Sequence, residues 1–131
     1  MQVDVWQRGV DLFNAGRFFD AHESLEDLWR EAALTPRKTH LQGLVQLAVA
    51  FHHQSTGNWE GATSVLERAL LNLEGAEESF PELDLESLRD SLNPWREYLA
   101  LNRRGAVQAP PALPKLLPRV GGGDWTKGRP C

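Results

Sequence analysis

Along the first two-thirds of the chain, apolar residues recur at intervals of three and four, the spacing of one face of an α-helix. Val3, Trp6, Val10 and Phe13 keep that spacing, with Asp4, Arg8 and Asp11 on the far side, so a first helix is predicted from about Val3 to Asn14. Gly16 ends it, as a residue free to take positive φ. A second helix is predicted from about Phe18 to Ala33, with Phe18, Ala21, Leu25, Leu28, Trp29 and Ala32 on one broad face. Thr35-Pro36 reads as an N-cap followed by a first-turn proline. The third helix that follows, about Arg37 to Gln54, is apolar almost all round and is therefore expected to be central. Ser55-Thr56-Gly57-Asn58 breaks it. A fourth helix, about Trp59 to Glu74, repeats a clean stripe of Trp59, Ala62, Leu66, Ala69, Leu70 and Leu73.

After Gly75 the pattern changes. Glu77, Glu78 and Glu82, with Pro81 among them, form an acidic connector expected to be a solvated surface. Asp84 is placed to cap a short helix from Leu85 to Leu92, and Asn93-Pro94 restarts or kinks it, since proline cannot continue the hydrogen-bond ladder. Trp95, Tyr98, Leu99 and Leu101 carry it to Arg104, and Gly105 closes it. From Ala106 on, five prolines and the Gly121-Gly122-Gly123 run predict an extended tail. Leu113, Leu116, Leu117 and Trp125 are the residues able to pin that tail to the body. The expected organisation is one all-α domain over residues 1–105 and an extended or partly disordered Pro/Gly-rich tail over residues 106–131.

The two best-marked turns echo each other at an offset of 41 residues. Gly16-Arg17-Phe18-Phe19-Asp20-Ala21 faces Gly57-Asn58-Trp59-Glu60-Gly61-Ala62, and Leu25-Glu26 then faces Leu66-Glu67. Glycine makes the turn, an aromatic follows two residues on, and a small alanine lets the paired helices approach. This resembles the tetratricopeptide repeat, although the offset exceeds that family's usual period of about 34 residues. Two copies are too few for an open solenoid. The predicted architecture is two stacked, tetratricopeptide-like helical hairpins closed by a divergent C-terminal helical segment.

Composition narrows the setting. A chain of 131 residues, 41% hydrophobic and 24% charged, is an average globular domain. No apolar run approaches the ~20 residues that span a bilayer, and the N-terminal stretch lacks a signal-peptide pattern. Cys131 is the lone cysteine, which excludes an internal disulfide and fits a reducing cytoplasm. The net charge of −4 is uneven: Lys115, Arg119, Lys127 and Arg129 against Asp124 give residues 106–131 a net +3, leaving −7 on the first 105. An acidic body repels phosphate backbones, so neither nucleic acid nor membrane is an expected partner.

Two motifs in order carry a family resemblance. Phe18, Phe19, Ala21, His22, Glu23, Leu25, Glu26 and Trp29 form a phenylalanine-rich turn and A-H-E-x-L-E-x-x-W; Gln42, Gly43, Gln46 and Ala48 form Q-G-x-x-Q-x-A. Together they resemble domain-of-unknown-function family 309, small prokaryotic helical proteins. The resemblance implies an all-helical fold and no assigned reaction.

The same stretch holds the candidate chemistry. His22 and Glu26, four residues apart, lie within about 40° on a helix and can reach one ion, as in H-E-x-x-H with glutamate for the second histidine. Glu23 points about 100° away and could serve only as an off-side catalytic base. On the third helix Gln42, Gln46 and His53 form a polar stripe, and buried polar groups need partners. Set against His22 and Glu26, with Trp29 and Arg30 beside them, that stripe would make a binding pocket between helices two and three. The bland alternative is a structural network: Glu26 and Arg30 are an ordinary i,i+4 pair, the glutamines can bind backbone carbonyls, and His40, His52 and His53 read as solvent-facing. Cys131 and Ser24 lack the surroundings of a nucleophile.

Function therefore divides into classes. The leading expectation is a cytoplasmic binding or scaffold module without a cofactor, taking a protein or peptide partner in its groove. The rival is a metal-dependent hydrolase with His22, Glu26 and His53 holding a divalent ion such as zinc. A third is a homo-oligomer joined through exposed Trp6, Trp95 or the tail.

Overall fold

The computed structural model describes residues 4–103, 105 and 109–119. It is all-helical, with α1 (Val5–Asn14), α2 (Phe18–Glu31), α3 (Pro36–Ser55), α4 (Trp59–Asn72), a 3-10 turn (Ala76–Glu78) and α5 (Leu85–Arg103). Among the described residues the single β-bridge joins Leu83 to Pro118. Each helix packs on the next: α1 on α2, α2 on α3, α3 on α4 and α4 on α5. α3 lies between the two hairpin partners and buries Leu41, Leu44, Leu47, Ala48 and Phe51 together with Gly43 and Ala50. That is why it reads as apolar on so many sides.

The echo between the turns holds at the backbone. Gly16 and Gly57 both take left-handed φ, 80° and 82°. Behind each, the next amide closes a Schellman-type bond, Arg17 N–H to Leu12 O at 2.9 Å and Asn58 N–H to His53 O at 2.9 Å. Ala21 and Ala62 are both fully buried, and so are Leu25 and Leu66. Close approach is enforced elsewhere by glycine. A Cβ on Gly9 would meet Leu25 Cδ2 at 2.8 Å, and one on Gly43 would meet Leu73 Cγ at 2.8 Å and the Ala69 carbonyl at 3.2 Å. An aromatic chain runs through the core from Phe13 to Phe18, Phe51, Trp95 and Tyr98, with successive centroids 5.0–5.5 Å apart.

Element ends shift by a residue or two from expectation. α1 begins after Asp4, whose carboxylate accepts from the Trp6 and Gln7 amides at 3.0 and 3.3 Å; Val3 lies outside the described residues. Thr35 precedes α3 without a side-chain cap, its hydroxyl donating instead to Ala33 O. Two corrections go further. Pro94 neither ends nor restarts a helix, for α5 is continuous through it. Asp90, whose carbonyl loses its donor, is exposed to water, while Leu92 and Trp95 bury both halves in one core. The acidic connector is not simply solvated surface: Ala76, Phe80, Leu83 and Leu85 are buried beneath its glutamates. Phe80 stacks on Trp6 at 5.4 Å with Arg37 over its face.

Residues 109–119 are extended, as expected, and they are pinned. Leu116 is buried, and its amide and carbonyl pair with the Asn14 side chain at 2.6 and 3.0 Å. Lys115 Nζ donates to the Asn14 carbonyl at the end of α1, and Trp95 Nε1 donates to Ala112 O at 2.8 Å. Trp125, Gly121–Gly123 and Cys131 lie outside the described residues. Trp95 and Trp6 are not exposed contact residues: the first is 1% exposed and the second is half-buried. Among the described residues no helix is long and apolar enough to cross a membrane.

Candidate functional site

The inward face of α2 is spoken for by Phe18, Ala21, Ser24 and Leu25. Along its other flank, at intervals of three, four and three, run Phe19, His22, Glu26 and Trp29. Phe19 is half exposed and the other three are half-buried. α3 answers with Lys38, Gln42, Val45, Val49 and His52, at intervals of four, three, four and three, all half-buried. Alternating threes and fours are the heptad spacing by which helices form a seam with other helices.

The two stripes lie side by side in one antiparallel register. Phe19 and His52 rings are 5.3 Å apart, Phe19 and His22 rings 5.7 Å. Phe19, His22, Val49 and His52 line a cavity of about 180 Å³ that is almost wholly apolar. At the other end Trp29 and Gln42 border one shallow groove with Leu34, Thr35 and Pro36. Lys38 Nζ sits over the Trp29 ring at 4.8 Å and donates to Ala32 O at 3.4 Å. With Phe19 beside His52, His22 beside Val49 and Trp29 beside Gln42, Glu26 falls level with Val45. Glu26 is held by two neighbours, His22 Nε2 at 3.5 Å and Arg30 at 3.1 Å, while Arg30 also binds Asp27 at 2.8 Å.

This arrangement differs from the predicted pocket. His22, Glu26, Trp29 and Gln42 do share the α2–α3 face, with Arg30 at its rim. Gln46 does not: its carbonyl oxygen accepts from Asn72 at 2.7 Å, tying α3 to α4. His53 does not either, since its Nδ1 meets Asn58 at 3.2 Å in the following turn. One residue of helix turns a side chain by about 100°, so His52, not His53, faces His22. Glu23 is exposed and borders a separate groove between α1 and α2 with Arg8, Arg17, Asp20 and Asp27. Among the described residues no three His, Cys, Asp or Glu side chains converge as a metal site, so His22, Glu26 and His53 are not brought together. His40, read as solvent-facing, contacts Ser79 Oγ through Nδ1 at 2.6 Å. Phe19, Lys38, Val45, Val49 and His52 escaped the sequence reading as a site. The signal was available in the shared heptad spacing of two neighbouring helices.

The only resolved displacements of acidity among the described residues lie away from this face. The hydrogen bond from Arg89 holds the Glu77 carboxyl below the usual range, and the Ser87 amide and hydroxyl do the same for Asp84.

Comparison with known proteins agrees with the motifs. Residues 6–65 match the family described as "Domain of unknown function (DUF309)". An uncharacterized protein of Aquifex aeolicus (strain VF5) is 31% identical over 77 residues, 59% of this chain and 23% of that protein. The uncharacterized protein YpuF of Bacillus subtilis (strain 168) is 33% identical over 75 residues, 56% of this chain and 43% of YpuF. The matched region therefore spans less than half of either relative.

Proposed function

We propose that this chain, DUF309 over residues 6–65, is a cytoplasmic binding or scaffold module whose α2–α3 face receives an amphipathic helix. One observation carries the reading: nine residues at heptad spacing on two adjacent helices, the half-exposed Phe19 and eight half-buried neighbours, form two stripes side by side. A seam of this kind is how helices recognise helices, by anchors at i, i+3, i+4 and i+7 laid along a groove. Trp29 and Phe19 supply aromatic anchors at the two ends, and aromatic residues dominate such interfaces. Val45 and Val49 supply the apolar floor. His22, Glu26 and Gln42 supply polar groups that fix register.

The family motifs divide in the same way. Ala21, Leu25, Gly43 and Ala48 go to packing, where their small size or burial accounts for them. His22, Glu26, Trp29 and Gln42 stay on the face.

The test is selection of heptad-patterned helical peptides on the chain, followed by titration against Phe19→Ser. Phe19 is 50% exposed, so its replacement should shift the melting temperature little, a surface change of about 1 kcal/mol or less. Peptide affinity should fall at least tenfold. Peptides that bind equally well to Phe19→Ser and to Val49→Glu would refute the reading.

A further inference from the structure

The seam is complementary to itself. The stripe on α2 reads Phe19, His22, Glu26, Trp29, and it is symmetric in spacing about Ser24. Turned end for end, it sets Phe19 against Trp29 and His22 against Glu26. The stripe on α3 is symmetric about Leu47: Val45 is set against Val49, and Gln42 against His52. In the register fixed by the Phe19–His52, His22–Val49 and Trp29–Gln42 neighbours, Ser24 and Leu47 lie at the same level. One two-fold axis therefore serves both helices.

We infer that this face pairs with the same face of a second copy, α2 antiparallel to α2 and α3 antiparallel to α3, about a two-fold axis at the level of Ser24 and Leu47. The inference rests on reading the face as a helix-docking surface and names its occupant. Isologous contact of this kind repeats each pair twice. The dimer would hold two Phe19–Trp29 aromatic contacts, two His22–Glu26 contacts, two Val45–Val49 contacts and two Gln42–His52 hydrogen bonds.

Charge and chemistry choose this orientation over its alternative. A two-fold axis along the helices lays Glu26 on Val45 and leaves its carboxylate without a partner from the second copy. The antiparallel arrangement gives His22, Glu26, Gln42 and His52 each a hydrogen-bonding counterpart, while Lys38 stays on Trp29 and the Ala32 carbonyl of its own chain. In it the Glu26 carboxylate, already touching His22 of its own chain at 3.5 Å, accepts from the imidazole of the second copy as well.

The size of the face sets the expected strength. Two helices of four turns present roughly 20 Å by 20 Å, a footprint of about 400 Å² per partner, well under the ~800 Å² of a standard interface. Dissociation in the micromolar range is expected.

The experiment is sedimentation equilibrium of the full chain from about 1 to 300 μM, with three companions. His22→Glu sets two carboxylates against Glu26 of the second copy and should weaken the dimer at least tenfold, with its helical content unchanged. His22→Glu combined with Glu26→His restores opposite partners and should recover most of the loss. In a Cys131→Ser background, His22→Cys chains mixed with Glu26→Cys chains should form a disulfide on oxidation, whereas neither should do so alone. Facing positions alone meet the Cα–Cα limit of about 7 Å for a disulfide. Phe19→Ser serves as the second dissociating variant should His22→Glu fail to fold.

A chain that stays monomeric across this range overturns the inference, while peptide selection then judges the broader helix-docking reading separately. A dimer indifferent to His22→Glu and Phe19→Ser, or one cross-linked equally well by either cysteine alone, also overturns it.

Discussion

Replacing Gly43 with alanine tests whether the second family motif is architecture. Gly43 sits inside α3, where alanine is the better helix former by about 1 kcal/mol, so on propensity alone the change should stabilise. Its added Cβ, however, would lie 2.8 Å from Leu73 Cγ, 3.0 Å from Leu73 Cδ2 and 3.2 Å from the Ala69 carbonyl. Leu73 is fully buried, and the Ala69 carbonyl belongs to the backbone of α4, so relief of that contact requires the helix itself to move. Overpacking of that kind costs about 1–3 kcal/mol, and the backbone contact places this case toward the upper end. The net expectation is a loss of about 1–2 kcal/mol, or a fall of roughly 4–8 °C in melting temperature for a chain of this length. Thermal and urea denaturation followed by circular dichroism measure it. A companion variant isolates the cause: Leu73→Ala alone should cost about 2–5 kcal/mol, but adding Gly43→Ala to it should be neutral or stabilising, because the methyl now has room. The coupling between the two sites should exceed ~1 kcal/mol. A melting temperature of Gly43→Ala equal to or above that of the parent refutes the close-approach argument.

Three further expectations follow from the same contacts. Trp95→Phe keeps most of the buried ring but removes the donor to Ala112 O; stability should drop by about 1 kcal/mol, and hydrogen exchange in residues 109–119 should speed more than in α3, while uniform acceleration would tell against a local pin. Glu77 and Asp84 bind protons less tightly in the folded than in the unfolded chain, so the stability they contribute is present at neutral pH and is lost as pH falls through their lowered folded-state values. Arg89→Gln should make the acid side of the stability–pH curve shallower, and an unchanged curve would count against the Glu77–Arg89 pair. Elemental analysis of untagged protein incubated with zinc or manganese should find no stoichiometric ion that depends on His22; one equivalent lost in His22→Ala would restore the His22–Glu26–His53 reading.

Where hydrophobic periodicity was strong, sequence was a sound guide. The helices, the left-handed glycines at positions 16 and 57 and the central place of α3 all follow from the three–four spacing and from turn chemistry. Of the two expectations at Asn93-Pro94, the restart fails because a local rule about one missing N–H was outweighed by the burial of Leu92 and Trp95 on either side of it. The acidic connector misled for a related reason: its glutamates dominate the composition, while four apolar residues among them take the inner positions. The pinning of residues 109–119 depends on contacts with Asn14 and Trp95, about a hundred and seventeen residues away respectively in sequence, and no local pattern announces such a pairing. The pocket was half legible. His22, Glu26, Trp29 and Gln42 stand out in sequence as unusual residues on apolar helices, and the fold sets them along one α2–α3 face. His52 was passed over for His53, since an angular argument within one helix cannot say which flank its neighbour will cover.

That last error bears on what the face is for. Gln46 and His53, the polar residues that first suggested a chemical pocket, turn out to have protein partners of their own in Asn72 and Asn58. Of the polar stripe of α3, Gln42 is then left at the α2–α3 face. What stays unexplained by internal packing is different in kind. Phe19 is held half in water between two imidazoles, Val49 lines an apolar cavity that opens beside it, and Trp29 is covered on one side by a lysine. Apolar groups kept at a surface and spaced as a heptad call for apolar cover. Polar groups interleaved with them call for a partner that arrives in one register. On the reading proposed above a helix answers both demands, and the mirrored order of the residues makes α2 of a second copy the proposed source of that helix.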